Sequence, residues 1–290
     1  METLITAVTD GQKKQVKRFA EDAVDRAIAE GLLDKDSIQK LIENGDEFQV
    51  DITASIKKHS LSNQFADEEG ESSYGYLSGY SKPKGITEQT NILCQLIPGI
   101  GFADEKIAEQ PLPPNAEGWF AIPRWQSVGK TYEEALQKVL DLIKKQRGSF
   151  YNYREGRLGA KYLRQLERTA KKLEALGEAQ KGYDILVVAA QFGLRHRGRS
   201  VRRAREVFTA NEFGLGAFEI ACMILTHQDR LANYDDLWID CAGNEYAPDE
   251  DGGFSSAPCF DFGGGRVEFD TYWVGYAIEF YGSASGFLSQ

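Results

Sequence analysis

Residues 182–208 read GYDILVVAAQFGLRHRGRSVRRAREVF, and the fold turns on how this stretch is parsed. Ile185 to Ala190 is an unbroken apolar run of strand length between Gly182 and Gly193, so it reads as a central strand with both faces covered. Seven basic or imidazole side chains follow at once: Arg195, His196, Arg197, Arg199, Arg202, Arg203 and Arg205. With Ser200 as its cap, a helix would place Arg199, Arg202, Arg203 and Glu206 on one face and Val201, Ala204 and Phe208 on another. A buried strand then delivers a helix N-terminus bearing a comb of arginines. The charges of Arg197, Arg199, Arg202 and Arg203 repel one another where the helix dipole already places partial positive charge. Something must offset them. The offset is internal, from carboxylates such as Asp235, Asp236, Asp240 or Glu245, or it is external, from a polyanion.

Charge is spread unevenly on the two sides of this stretch. The 290 residues carry a net charge of -10, yet Arg147 to Glu206 holds 15 Lys and Arg against 6 Asp and Glu. From Leu231 to Gln290 the count is 1 against 11. Such blocks recognise outside partners or each other. A hydrophobic fraction of 42% with 11% aromatics fills a sizeable core and excludes general disorder. No apolar run approaches membrane-spanning length and the N-terminus lacks a signal-peptide core, so the expected setting is cytoplasmic, without a membrane partner. Cys94, Cys222, Cys241 and Cys259 lie far apart in apolar company, which reads as reduced core residues and not as a zinc or disulfide framework.

Upstream of the central stretch the pattern is helical. Val16, Phe19, Ala20, Ala23, Val24, Ala27 and Ile28 form one stripe, Thr9 or Asp10 can cap it, and Gly31 ends it. A shorter helix spans 34–44 and a third amphipathic stretch surrounds Phe48 to Ile56. Residues 1–66 therefore read as a helical N-terminal region. Residues 67–84, rich in Gly, Ser and acid, read as a linker-like loop, although Tyr74, Tyr76 and Tyr80 could pin it to the core. Residues 85–290 read as the body: a helix capped by Thr87 and running to Leu96, an edge strand in WFAIPRW (119–125), a Thr131-capped helix and a basic helix over 159–176 ended by Gly177. A buried helical segment in FGLGAFEIACMILTH and late strands at 237–241, 260–262 and 267–276, the last two joined by Gly263-Gly264-Gly265 in a hairpin, complete it. The fold class is α+β, a helical N-terminal region followed by a mixed α/β body with late antiparallel strands.

Chemistry-bearing motifs are sparse. Gly193-x-x-x-x-Gly198 resembles a phosphate loop in spacing, but Gly198-Arg199-Ser200 replaces the lysine that would hold phosphates. Gly214-x-Gly216 lacks the third glycine of a dinucleotide fingerprint. Asp235, Asp236, Asp240 and Glu245, around LWIDC and the following loop, could gather magnesium for phosphoryl chemistry with His227 or His196 as base. The acidic loop 248–253 lacks the calcium-loop pattern. No residue set has metal-ligand spacing and no motif calls for a cofactor.

Taken together, AQFGLRHRGRSVRRAREVF, NEFGLGAF, LTH, DLWIDCAGNEYAP, the terminal GSASGFL and WFAIPRW resemble an uncharacterised protein family of bacterial accessory genomes, carried on integrated or mobile elements. The resemblance covers most of the chain and implies a bacterial cytosolic setting and a role beside element maintenance, transfer or host conflict. It carries no assigned activity and no residue role.

Three functions are compatible with these residues. In the first, a non-catalytic accessory or binding protein uses Arg195, Arg197, Arg199, Arg202 and Arg203 to contact nucleic acid or an acidic protein. The second is a metal-dependent enzyme acting on a phosphate-containing substrate, with arginines as clamp and Asp235, Asp240, Glu245 or His196 as catalytic groups. The third is a structural protein-interaction module whose charge is neutralised internally.

Overall fold

The computed structural model describes residues 8–60, 63–249 and 253–288, so residues 250–252 of the acidic loop fall outside the description. The chain divides into two units, Met1–Asn63 and Gln64–Gln290.

In the first unit, helix α1 (Asp10–Ala29) starts from a reciprocal cap. The Thr9 hydroxyl accepts the Gln12 N–H, and the Gln12 side chain accepts the Thr9 N–H. Gly31, at φ 73°, turns the chain out of α1. Helix α2 (Lys35–Glu43) is capped by Asp34, and α3 (Gly45–Ser60) follows. None of the described residues of 8–60 is buried. Val16, Phe19, Val24 and Ile28 of the α1 stripe stand exposed to solvent.

The second unit opens with residues 64–84, then α4 (Ile86–Leu96), β1 (Gly118–Pro123), the short α5 (Trp125–Val128) and α6 (Tyr132–Arg147). Next come β2 (Phe150–Asn152), β3 (Leu163–Gln165), α7 (Glu167–Ala179), β4 (Ile185–Gln191), α8 (Val201–Val207), β5 (Glu212–Gly214) and α9 (Ala217–Thr226). The late strands are β6 (Trp238–Asp240), β7 (Asn244–Tyr246), β8 (Ser256–Gly263), β9 (Arg266–Trp273), β10 (Tyr281–Ser283) and β11 (Ser285–Phe287). The fold is α+β, helical first and antiparallel late.

Two sheets organise this unit. One has the order β1-β4-β11-β5, all antiparallel, and β4 is an interior strand with every residue buried. β1 is its edge, closed by Pro123, which has no N–H to offer a further strand. The other sheet runs β10-β6-β8-β7-β3, with β9 on β8 and β2 on β9. Gly264 and Gly265, both at positive φ, form the two-residue β8–β9 turn. At the centre of the core α9, all ten residues buried, packs on α6, α4 and β1.

Several local expectations change. Gly85, not Thr87, is the residue before α4. The basic helix expected over 159–176 begins only at Glu167, because Leu163 to Gln165 pairs with β7 and buries Leu163 there. Gly177 lies inside α7 and does not end it; a Cβ at that position would stand 2.4 Å from the Arg124 guanidinium. Arg124 uses this space to donate to the carbonyls of Gly177, Gln180 and Tyr183, in the last turn of α7 and the segment that follows it.

Residues 67–84 belong to the second unit. Tyr80 is buried against Tyr76 and Phe192, and Asp236 accepts hydrogen bonds from the Leu77 and Ser78 N–H groups. Polar composition made the segment read as a loop. The same polar groups tie it down.

Candidate functional site

The arginine comb forms as the sequence implies. Ser200 caps α8 by accepting the Arg203 N–H at 3.1 Å, and α8 leaves from the end of β4 through a short 3-10 turn over Leu194–His196. The charges, however, are met within the chain. Arg202 grips Glu68, with Nε 2.9 and 2.8 Å from the two carboxylate oxygens. Arg203 Nε reaches Glu69 at 2.5 Å and its Nη1 reaches Glu206 at 2.8 Å, while Arg199 Nε lies 3.2 Å from Glu69. The Arg202 guanidinium holds the Glu68 carboxyl below its ordinary value. Backbone hydrogen bonds from Ser200 N to Glu68 O and from Gly70 N to Gly198 O lay the strap 64–70 across the comb.

The partners are not the C-terminal carboxylates that the charge blocks suggest. Asp235 stands exposed in a turn, Asp236 is spent on residues 77–78 and 232–233, and Glu245 pairs with Arg164 at 2.7 Å. Arg197 is the exception among the five arginines. It is exposed, its Nη1 donates to the Tyr74 carbonyl, and it forms no ion pair among the described residues.

Arg195 and His196 converge on Glu212, which is wholly buried. Glu212 Oε1 receives Arg195 Nε at 2.9 Å, His196 Nε2 at 2.8 Å and the Ser285 hydroxyl at 2.7 Å. Burial pushes the Glu212 carboxyl up, but the His196 and Arg195 hydrogen bonds prevail and bring it down to about 2. Burial also lowers His196. Its Nε2 carries the proton donated to Glu212, and Nδ1 accepts from Arg199 at 3.2 Å, a tautomer assigned from these partners. With both nitrogens engaged and no exposure, His196 has no lone pair to offer a substrate.

Of the acidic candidates, Asp240 faces a narrow slot that it shares with Val201, Tyr272, Trp273, Tyr276 and Tyr281. Burial pushes it up to about 7 against the pull of Arg205. Arg205 itself donates to the carbonyls of Ala242 and Asn244 and is brought down to about 10 by burial. Asp235, Asp240, Glu245 and His196 are thus not assembled into one site, and no group of three or more His, Cys, Asp or Glu among the described residues is placed to hold a metal ion. Nor is any helix among them long and apolar enough to cross a membrane.

One well-formed recess was not marked by any motif. A cleft of about 430 Å³ lies over the ends of β1 and β4, walled by α7 and the Arg124–Gln126 turn, with Glu219 among its lining residues. Glu219 sits in the apolar run that became α9, where a single acid among nine apolar or small neighbours was the one available signal. No protein-family model, curated protein or solved structure matches this chain.

Proposed function

We propose that this is a non-catalytic protein-interaction module that assembles with a second copy of itself through α1, in a bacterial cytosolic setting. The observation that carries it is the first unit: no described residue of 8–60 is buried, although α1 has a continuous apolar stripe. An amphipathic helix is stable in water when its stripe meets another surface. Its charge pattern favours the same helix as that surface. Residues 10–20 carry four basic and one acidic side chain, and residues 21–30 carry four acidic and one basic. An antiparallel two-fold pair sets each basic half against the partner's acidic half, whereas a parallel pair sets like against like. At 3.6 residues per turn, Lys13 and Lys17 in the basic half and Glu30 in the acidic half lie within or at the edge of the stripe, and Glu21 borders it, so these charges stand at the seam.

The in-chain pairing of Arg199, Arg202 and Arg203 with Glu68, Glu69 and Glu206 supports this reading over polyanion binding, which is left with Arg197. The bacterial and mobile-element setting rests on the resemblance of the sequence strings alone.

Light scattering on the full chain decides it. The expected mass is twice 32.4 kDa, and Lys13→Glu/Lys17→Glu or Glu21→Lys/Glu30→Lys alone should be monomeric. Mixed one to one, the two variants should form a heterodimer. A wild-type chain that stays monomeric up to about 100 μM, or variants whose mixture does not associate, would refute the proposal, and retention of duplex DNA by that monomer would favour the nucleic-acid reading.

A further inference from the structure

We propose that the cleft between β1, β4 and α7 binds an organic cation, a primary ammonium or guanidinium on a small apolar or aromatic body, with Glu219 as its anchoring carboxylate. This site is separate from the α1 surface and stands or falls independently of it.

Shape comes first. At about 430 Å³ the cleft has the size of a small-molecule site. Ile122, Leu173, Leu186 and Ala170 give it an apolar lining, and the half-exposed Trp125 supplies an aromatic ring on the wall. Trp is the side chain that attracts a cation most strongly through its ring face.

Charge then selects the ligand. Glu174 and Glu178, one turn apart on α7, are exposed where the cleft meets solvent. Arg124 is the one cation of the lining, and its guanidinium is already donated to three backbone carbonyls. It neither neutralises Glu219 nor offers an anion a free donor fork.

The independent observation is Glu219 itself. It is 2% exposed, its Oε1 accepts from Gln165 Nε2 at 3.2 Å, and its Oε2, turned toward Gly216 and the Tyr132 hydroxyl at the start of α9, makes no full hydrogen bond among the described residues. A buried carboxylate this sparsely hydrogen-bonded is costly, and a cation in the cleft that Glu219 lines would lower that cost. Burial pushes this carboxyl up to about 7. A cation beside it would favour the ionised form, so binding at neutral pH should expel a fraction of a proton.

The test uses three probes of one skeleton on the full chain: 2-phenylethylamine, 2-phenylethanol and phenylacetate, by calorimetry and Trp fluorescence. The amine should bind saturably, the alcohol about tenfold or more weakly, and the carboxylate not at all. Glu219→Gln should weaken the amine about tenfold while the protein remains folded. Ala170→Phe, which fills the cleft from α7, should abolish binding, and Glu174→Gln/Glu178→Gln should lower affinity a few-fold at low salt only. Calorimetry in two buffers of different ionisation enthalpy should register the released proton. No saturable binding of the amine at about 10 mM, equal binding of the alcohol, or an unchanged affinity in a folded Glu219→Gln or Ala170→Phe would overturn the assignment.

Discussion

Glu212→Gln should cost the second unit about 3 kcal/mol at neutral pH, through the loss of one buried charge. The three donors on Glu212 Oε1 come from Arg195, His196 and Ser285, so the carboxylate joins the segment after β4 to β11, while its Oε2 accepts the Thr209 N–H at 3.2 Å. Its carboxyl titrates near about 2 in the fold against 4.5 when free. At 1.36 kcal/mol per pH unit, a gap of roughly 2.5 gives about 3 kcal/mol. Because the folded group is the more acidic one, this stabilisation is complete above about 4.5 and is lost as the pH falls toward about 2. Glutamine keeps the shape, but its NH₂ must face either the Thr209 N–H or the Arg195, His196 and Ser285 donors. Urea unfolding at pH 7 should show the deficit, and the melting temperature should drop by roughly 6–12 °C for a unit of this size. The gap between wild type and variant should shrink by more than half near about pH 3. A variant melting within about 2 °C of wild type, or a gap unchanged at low pH, would show that shape and not charge holds this junction.

Asp240 carries the opposite sign. Burial holds its folded carboxyl at about 7, less acidic than in the unfolded chain, so its contribution is full below about 4 and declines as the pH rises through 7. Asp240→Asn should remove about 1.4 kcal/mol per pH unit of that decline and leave the protein more stable at pH 8, as read by urea titration across the window; an unchanged slope would mean that Asp240 is ionised in the fold. At the crossing of the β4–α8 turn with β10, a Cβ on Gly282 would lie 2.3 Å from the Gly193 carbonyl oxygen, and one on Gly193 2.7 Å from that of Gly282. Gly282→Ala should therefore destabilise by roughly 1–3 kcal/mol, whereas Gly75→Ala, with no atom within 4 Å, serves as the control in thermal melts.

What the sequence made legible was local. The β4 run, the Ser200 cap, the α1 stripe and the β8–β9 turn each depend on a few neighbouring residues, and each formed as its period or turn chemistry dictates. What remained hidden was pairing at a distance. Arg202 and Glu68 are separated by 134 residues, and nothing in a charge count distinguishes Glu68 from Asp235. Segment 64–84 was obscure for a related reason: its glycines and acids resemble those of a free loop until their partners are known. β3 was misread because Leu163 fits a helical stripe as well as a strand facing Tyr246. Glu219 was passed over since an acid inside an apolar helix is visible as a site only once a cleft is seen to end on it.

β11 lies between β4 and β5, although it is made after both, and only Ala284 separates it from β10, which belongs to the other sheet. During synthesis, therefore, β4 can pair with β1 on one side while its other edge waits for residues 285–287 to emerge. Until then Ile185–Gln191, an apolar strand with an open backbone edge, is the part of the nascent chain best suited to pair with the wrong neighbour. The comb that follows it puts six arginines within the eleven residues 195–205, and uncovered like charges keep neighbouring nascent chains apart. Glu68 and Glu69 precede β4 in the chain, so this electrostatic guard ends when the strap 64–70 docks on α8. In the order of synthesis, the segment that quiets the arginines is made first and the strand that makes them dispensable as gatekeepers is made last.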